Sequence, residues 1–486
     1  MEKRFSWSRQ QPDLEIIKMK TFTKIALSIA LMFSVPAYAD DYLETLKILK
    51  DKGILTQTEY DNKVQAHEEK AENRKFIEQR IDRDVSDSVK YRQARVNDGS
   101  VTENGIGLKS KDGNNTIQLT GRLHMDYRQY SPGYGTGQTT DSYQNLAEVR
   151  RSRFGVRGQF AKDFKYQLLA NFGNDAGSSS TTTTADEMWV NYAANPEMQF
   201  QFGLFKMPFS LEQLTSSNNI DFMERSLIGN TDGEFIPAKE TGFMLHGIPK
   251  PGLLYQVALS RGRANKDAAN DGFDYIGRVV TNIAELQGSK TYVLHLGAAY
   301  STGEIKGGVA PASGRTESRS QSAWFTGPAL SGTTARTRQG LEAAFAYDGL
   351  KIQGEQFQFN YDPTTGSDQK INGYYVQAVY NLTGESHSYK DGTFGWIKPN
   401  NPLDKGGRGA WQVGVRMSEF DASDITVATG KSNRATAMTY GITWFCTDNL
   451  RFMLNYVDTK FDSQVGSSGS RVNGDRAVMF RSQLSF

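Results

Sequence analysis

The 486-residue chain is 38% hydrophobic and 11% aromatic, with 47 glycines and 56 Lys+Arg against 54 Asp+Glu, a formal charge of +2. Its mean hydropathy of −0.55 argues against a bundle of membrane-spanning helices and suits a barrel with a wet interior. The single cysteine, Cys446, excludes an internal disulfide.

In chain order, Lys20 and Lys24 precede the apolar run Ile25–Phe33, and Pro36 and Ala37-Tyr38-Ala39 follow. This is the pattern of a secretory signal peptide, with small residues at Ala37 and Ala39 for the peptidase. The run is too short to cross a bilayer as a helix. Residues 1–39 are therefore expected to be removed, leaving Asp40 as the mature start. Met19 is a better initiator than Met1, because Met1–Lys18 is polar and belongs to no part of a signal peptide. Without residues 1–39 the chain carries 50 Lys+Arg against 51 Asp+Glu. Any preference for anions must then come from where the arginines sit.

Residues 40–97 are rich in charge and poor in glycine. Tyr42–Leu49 predicts a short amphipathic helix ended by Gly53, and Thr56 with Glu59 forms a capping-box signal for a second helix. Ile77, Ile81, Val85 and Val89 make a narrow apolar stripe. A stripe this narrow cannot form a core alone; packing against copies in an oligomer and a simple periplasmic extension both remain open.

From about Thr116 the period changes to two, and residues 98–486 predict an outer-membrane β-barrel. Ile117, Leu119, Leu123, Met125 and Tyr127 alternate with Gln118, Thr120, Arg122, His124, Asp126 and Arg128. The fold class expected is all-β, a 16-stranded antiparallel transmembrane β-barrel with a short N-terminal helical extension. The strands are placed near 116–130, 148–160, 164–174, 186–194, 198–206, 240–248, 251–261, 273–281, 290–300, 340–348, 350–361, 370–382, 410–419, 434–446, 450–461 and 474–486. Strands of about ten residues and an even count suit a tilted, closed barrel. The last strand carries Val478, Phe480, Leu484 and Phe486 on one face, and Met479, Arg481, Gln483 and Ser485 on the other. The same parity places Cys446 toward lipid.

Connections alternate between long segments, among them 207–239 and 301–339, and tight turns such as Ala161-Lys162-Asp163 and Asp348-Gly349. Short periplasmic turns and longer outer loops give this alternation. The segment 383–409 breaks it, being long on the periplasmic side and carrying Lys398, Lys405 and Arg408.

Such a barrel has an aqueous lumen, and function follows from its lining. With Phe154 and Val156 toward lipid, Arg151, Arg153 and Arg157 share the lumen face, and Arg122 and Arg128 take it on the preceding strand. Adjacent strands lie about 4.8 Å apart, so these side chains form a cationic strip. Guanidinium suits phosphate because its planar fork donates paired hydrogen bonds and stays charged. The spacing leaves open whether the strip selects anions or lines a general pore for small solutes. An outer-membrane hydrolase needs an ordered Ser-His pair; only five histidines exist and no Gly-x-Ser-x-Gly elbow is present. A surface adhesin using the 301–339 loop, read as flexible from its composition, is a further alternative. No nucleotide fingerprint, metal cluster or redox motif stands out, so neither a cofactor nor a nucleic-acid partner is expected.

Gly203-Leu204-Phe205-Lys206-Met207-Pro208-Phe209-Ser210, continuing through Ser216-Ser217 to Phe222-Met223-Glu224-Arg225-Ser226-Leu227, resembles the hallmark segment of the phosphate-selective porin O and P family. Gly121-Arg122 with Asp126, the block Arg150-Arg151-Ser152-Arg153-Phe154-Gly155 and the terminal Phe486 also match that family's layout, which covers nearly the whole mature chain. The resemblance implies a passive trimeric porin in the outer-membrane lipid, narrowed by inward-folded loops, passing inorganic phosphate, polyphosphate or other small anions. It implies anion-binding or pore-lining roles for Arg151, Arg153, Lys206 and Arg225, with hydrogen bonds from Ser210, Ser216 and Ser217, and a looser correspondence for Arg261 and Arg263. The alternative for Glu224-Arg225 is an internal ion pair that pins the loop, and for Lys206 a pair with a wall carboxylate.

Overall fold

The computed structural model describes residues 39–69, 72, 75, 101–102, 105–131, 145–173, 183–231, 235–262, 272–306, 313–319, 323–466 and 471–486. The chain forms two compact units, residues 1–94 and 95–486. In the first, α1 spans Ala39–Asp51, and Gly53 follows at φ 69°, a left-handed position that suits glycine. The capping box is made: the Thr56 amide donates to Glu59 Oε2 at 2.9 Å and the Glu59 amide to Thr56 Oγ1 at 3.3 Å. The predicted stripe Ile77–Val89 and residues 1–38 of the expected signal peptide lie outside the described residues.

The second unit is a closed antiparallel barrel of sixteen strands. They are β1 (Thr116–Tyr130), β2 (Leu146–Phe160), β3 (Phe164–Asn171), β4 (Thr184–Asn195), β5 (Met198–Lys206), β6 (Lys239–Lys250), β7 (Leu253–Ser260), β8 (Asp274–Asn282), β9 (Tyr292–Ile305), β10 (Ser331–Tyr347), β11 (Leu350–Thr365), β12 (Gln369–Asn381), β13 (Ala410–Asp421), β14 (Arg434–Phe445), β15 (Leu450–Val465) and β16 (Val472–Ser485). Closure pairs Leu484 of β16 with Leu123 of β1. Gly121 and Phe486 exchange both backbone hydrogen bonds, at 2.9 and 3.1 Å. A Cβ on Gly121 would stand 2.5 Å from the Phe486 ring and 2.9 Å from the Arg153 carbonyl oxygen, so a larger residue here would displace the ring or the strand. Alternation is strict at the seam: Val478, Phe480 and Leu484 are 46%, 42% and 42% exposed on the outside, while Met479, Arg481 and Gln483 are buried in the interior.

The expected wall of lipid outside and water inside holds on only part of the circumference. On β11 the outer half reverses it, with Phe357, Phe359 and Tyr361 buried inward and Gln356 exposed outward. The reason lies in the loops. The third outer loop, L3 (207–238), and the fifth, L5 (306–330), fold inward, and Phe235, Trp324 and Phe325 pack with Phe359, Tyr361 and Phe420 in one apolar cluster. Glu317 of L5 is bound by Arg416, Ser418 and Thr439, and Thr316 donates to Asp475 at 2.7 Å. Residues 313–319 and 323–330 of L5 are thus a fixed insertion, where composition suggested a flexible loop, and β10 begins at Ser331, earlier than expected.

The exceptional periplasmic segment, T6 (382–409), also enters the barrel. Phe394 shares a buried cluster with Leu211, Ala344 and Ala346, and Ile397 packs with Ala410 and Phe445. Lys398, Lys405 and Arg408 stay exposed. Cys446 does not face lipid: the strand parity ends at Phe445, the Cys446 amide bonds the Leu450 carbonyl across the turn at 2.9 Å, and the side chain is buried.

Leu454 lies mid-row on the lipid face of β15 and is 46% exposed. Leu454→Arg is expected to cost about 2–4 kcal/mol, read as a lowered urea midpoint for folding into lipid vesicles.

Candidate functional site

Two β-bulges build the lumen wall where the basic block lies. On the β1–β2 ladder His124 pairs with Arg151 but Met125 pairs with Val149, leaving Arg150 as the extra residue. Strand parity would aim Arg150 at lipid with Phe154. The bulge instead returns Val149 to the lipid side, and Arg150 Nε donates to Glu224 Oε1 at 3.1 Å. On the β3–β4 ladder Leu169 pairs with Glu187 but Ala170 pairs with Ala185, so Asp186 is the extra residue. Its carboxylate lies 3.0 Å from Arg153 and 2.5 Å from Lys239.

Facing this wall, L3 crosses the lumen. The backbone amides of Leu211 and Glu212, which open the one-turn α2 (Leu211–Leu214), both donate to Glu355 of β11, at 2.8 and 2.7 Å. Ser210 serves the same anchor: its hydroxyl accepts from the Gln213 amide and donates to Glu355 at 3.2 Å. Its predicted hydrogen bond to an anion is therefore not what the local geometry uses it for. At the other end of α2, Lys206 Nζ donates to the carbonyls of Gln213, Leu214 and Thr215 at 2.8–3.0 Å. Arg225 donates to the carbonyls of Glu212, Gln213 and Thr215. Two cations thus satisfy the orphan carbonyls of one short helix.

The suggested Glu224-Arg225 pair is not made. Glu224 instead accepts from Arg128, Arg150 and Arg481 at 3.0, 3.1 and 2.9 Å, with Arg151 at 3.8 Å. Burial would raise the Glu224 carboxyl, but the guanidiniums of Arg150, Arg151 and Arg481 hold it well below the usual carboxylate range. Lys206 has no carboxylate within ion-pair distance among the described residues, so the wall-pair alternative also falls.

Between the wall and L3 lies a cavity of about 330 Å³. Its lining brings together four of the candidates, Arg151, Arg153, Lys206 and Arg225, with Arg150, Lys239 and Arg319, against the acids Asp186, Glu224 and Glu240. Seven cationic groups against three acidic ones leave a positive surplus. Ser217 also lines it and accepts from Arg122 Nη1 at 2.8 Å, with Ser216 at 3.4 Å. Arg122 thus braces the loop from behind the cavity. Arg157 shares the lumen face but stands away, bonded to Gln118 at 3.1 Å and exposed. Arg261 is exposed just beyond β7 and not in the lining; Arg263 lies outside the described residues.

Sequence reasoning missed Arg150, Lys239 and Arg319. Arg150 stood inside the quoted block, but a rule of strict alternation cannot see a bulge. Arg319 lay in a loop whose composition concealed its burial. Among the described residues no cluster of His, Cys, Asp and Glu is arranged to hold a metal ion.

Known proteins agree with this architecture. Porin O of Pseudomonas aeruginosa is 27% identical over 401 residues, covering 76% of this chain and 88% of that one. Among solved structures, the outer-membrane channel DcaP of Acinetobacter baumannii aligns with a TM-score of 0.51 and 11% identity over 78% of this chain and 99% of its own. The anion-selective porin of Comamonas acidovorans aligns with a TM-score of 0.50 and 14% identity over 76% of this chain and all of its own; at these identities the likeness is one of fold. Residues 117–486, most of the chain, match the family described as phosphate-selective porin O and P. The chain belongs to that family, and it is a bacterial outer-membrane porin, a channel and not an enzyme.

Proposed function

We propose that this porin conducts anions in preference to cations, with phosphate or polyphosphate the favoured solute, and that the cavity between the β2–β6 wall and L3 is where selection occurs. The observation that carries this reading is the surplus of cationic groups. Asp186 and Glu224 are each already engaged by wall cations, so they do not cancel the rest. Arg151 supports the reading most directly: its guanidinium meets a histidine at 3.5 Å and a carboxylate at 3.8 Å, leaving its fork weakly committed. Arg153 has its Nε buried without a hydrogen-bond partner. An oxyanion entering the cavity would supply the missing acceptors. Neighbouring acids keep each station shallow, as conduction requires.

In the same reading residues 1–39 are a cleaved signal peptide, residues 40–97 a periplasmic extension, and the assembled channel a homotrimer, as the family resemblance implies. Mass spectrometry of protein extracted from outer membranes, with Asp40 as the first residue, checks the first point. Unheated electrophoresis checks the last, where migration as a monomer would exclude the trimer.

Planar-bilayer recordings test the central claim. In a potassium chloride gradient the reversal potential is expected to take the sign of chloride, and added phosphate is expected to block chloride current. Potassium-dominated current with no phosphate block would instead make this a general diffusion pore. Arg151→Met and Arg153→Met are each expected to raise the half-blocking phosphate concentration about tenfold, the loss of roughly one charge-assisted hydrogen bond.

Lys206→Met and Arg225→Met should act differently, by freeing the end of α2. Each is expected to open residues 211–225 to protease in the folded barrel, whereas Arg153→Met leaves that segment resistant.

A further inference from the structure

Two cations on the barrel wall each touch both L3 and T6, which enter the lumen from opposite sides. Lys351 of β11 pairs with Asp221 of L3 at 2.8 Å, and its ammonium lies 4.4 Å from the centre of the Phe394 ring of T6. Arg451 of β15 donates to the Ile220 carbonyl of L3 at 3.2 Å, and its guanidinium lies 5.2 Å from the Trp396 ring of T6 and 5.5 Å from Phe445. Both are buried. Arg451 has no ion pair among the described residues. Its charge is met by two neutral oxygens, from Ile220 and Gln483, and by aromatic faces. A guanidinium so desolvated depends on each of those contacts.

The contacts continue to the cavity. Gln483, which accepts from Arg451 at 2.9 and 3.1 Å, donates to the Asn218 carbonyl of L3 at 3.1 Å. The Asn218 side chain meets His124 Nε2 at 3.0 Å, and His124 Nδ1 faces Arg151 at 3.5 Å. Trp396 is thus joined to a cavity-lining guanidinium through Arg451, Gln483, Asn218 and His124, each link a direct contact.

We propose that Lys351 and Arg451 are positioning residues through which the periplasmic segment T6 fixes L3 and, with it, the anion affinity of the cavity. Neither residue lines the cavity; each bridges L3 and T6, Lys351 between Asp221 and the Phe394 ring and Arg451 between the Ile220 carbonyl and the Trp396 ring. The anion affinity in this statement rests on the function proposed above, whereas the mechanical tie does not. Two separate readouts distinguish the mechanical tie from its effect on the cavity.

The experiment compares the full-length protein with Trp396→Ala, Trp396→Leu and Trp396→Phe, each verified as a folded barrel by its heat-modifiable migration. Amide hydrogen exchange over residues 216–222 reports the tie, and half-blocking phosphate concentration in bilayers reports the cavity. Trp396→Ala and Trp396→Leu are expected to speed exchange about tenfold and to shift the half-blocking concentration about three- to tenfold. Trp396→Phe, which keeps an aromatic face under Arg451, restores both. Should the tryptophan variants fail to fold, Phe394→Leu applies the same test through Lys351. Unchanged exchange in Trp396→Ala overturns the tie, whatever phosphate does. Faster exchange with an unchanged half-blocking concentration overturns the link to the cavity. A parent protein indifferent to phosphate overturns the anion reading and leaves the tie to be judged by exchange.

Discussion

Hydrocarbon offers no hydrogen-bond partner to a backbone amide, and this constraint governs everything else in the barrel. Strands can cross a membrane only if every edge is paired, which requires the last strand to find the first. Here the closing seam runs from Ser485 against Arg122 to Ala477 against Tyr130, and Gly121 leaves space for the final aromatic ring. A ring of sixteen strands is too wide for its own side chains to fill. The interior is therefore settled by whichever segments of chain turn back into it, and this protein sends in two outer loops and one periplasmic segment.

These insertions divide the lumen into unlike sides. Toward β10–β15 the loops and wall share an apolar cluster that includes Phe209, Phe235, Trp324, Phe357, Phe359 and Phe420, so that side is packed like a protein core. Toward β2–β6 the wall is basic and faces the cavity. L3 is held between the two by a carboxylate, an ammonium and an amide of the wall: Glu355 at the start of α2, Lys351 on Asp221, and Asn455 Oδ1 accepting from the Met223 amide at 2.8 Å. Buried ion pairs return little net stability, but breaking one strands its partner at high cost. Such contacts serve here to define where the loop sits, and hence the shape of the cavity.

Much of this was legible in the residues. Strand positions, closure and the alternation of long and short connections follow from period-two patterning because one face of each strand meets hydrocarbon. The boundaries of β1 and β5 agree to the residue. Arg151, Arg153, Lys206 and Arg225, singled out in the sequence, line one cavity. What patterning could not reveal depends on tertiary contacts. The inward aromatics of β11 have meaning only once L3 and L5 lie against them. The carbonyl-binding use of Lys206 and Arg225 depends on where α2 ends. Ser210 reads as a free donor until Glu355, far away in sequence, is placed beside it. Cys446 follows strand parity on paper, but the strand stops at Phe445.

The two ladder irregularities at Arg150 and Asp186 carry a wider implication for how such walls diversify. A single inserted codon in a β-strand can turn one polar side chain from membrane to lumen while the greasy row on either side keeps its register by bending locally. Length changes of one residue, rather than replacements, then become an economical route by which a duplicated channel gene acquires a new ionic lining, and comparisons that score only substitutions would overlook it.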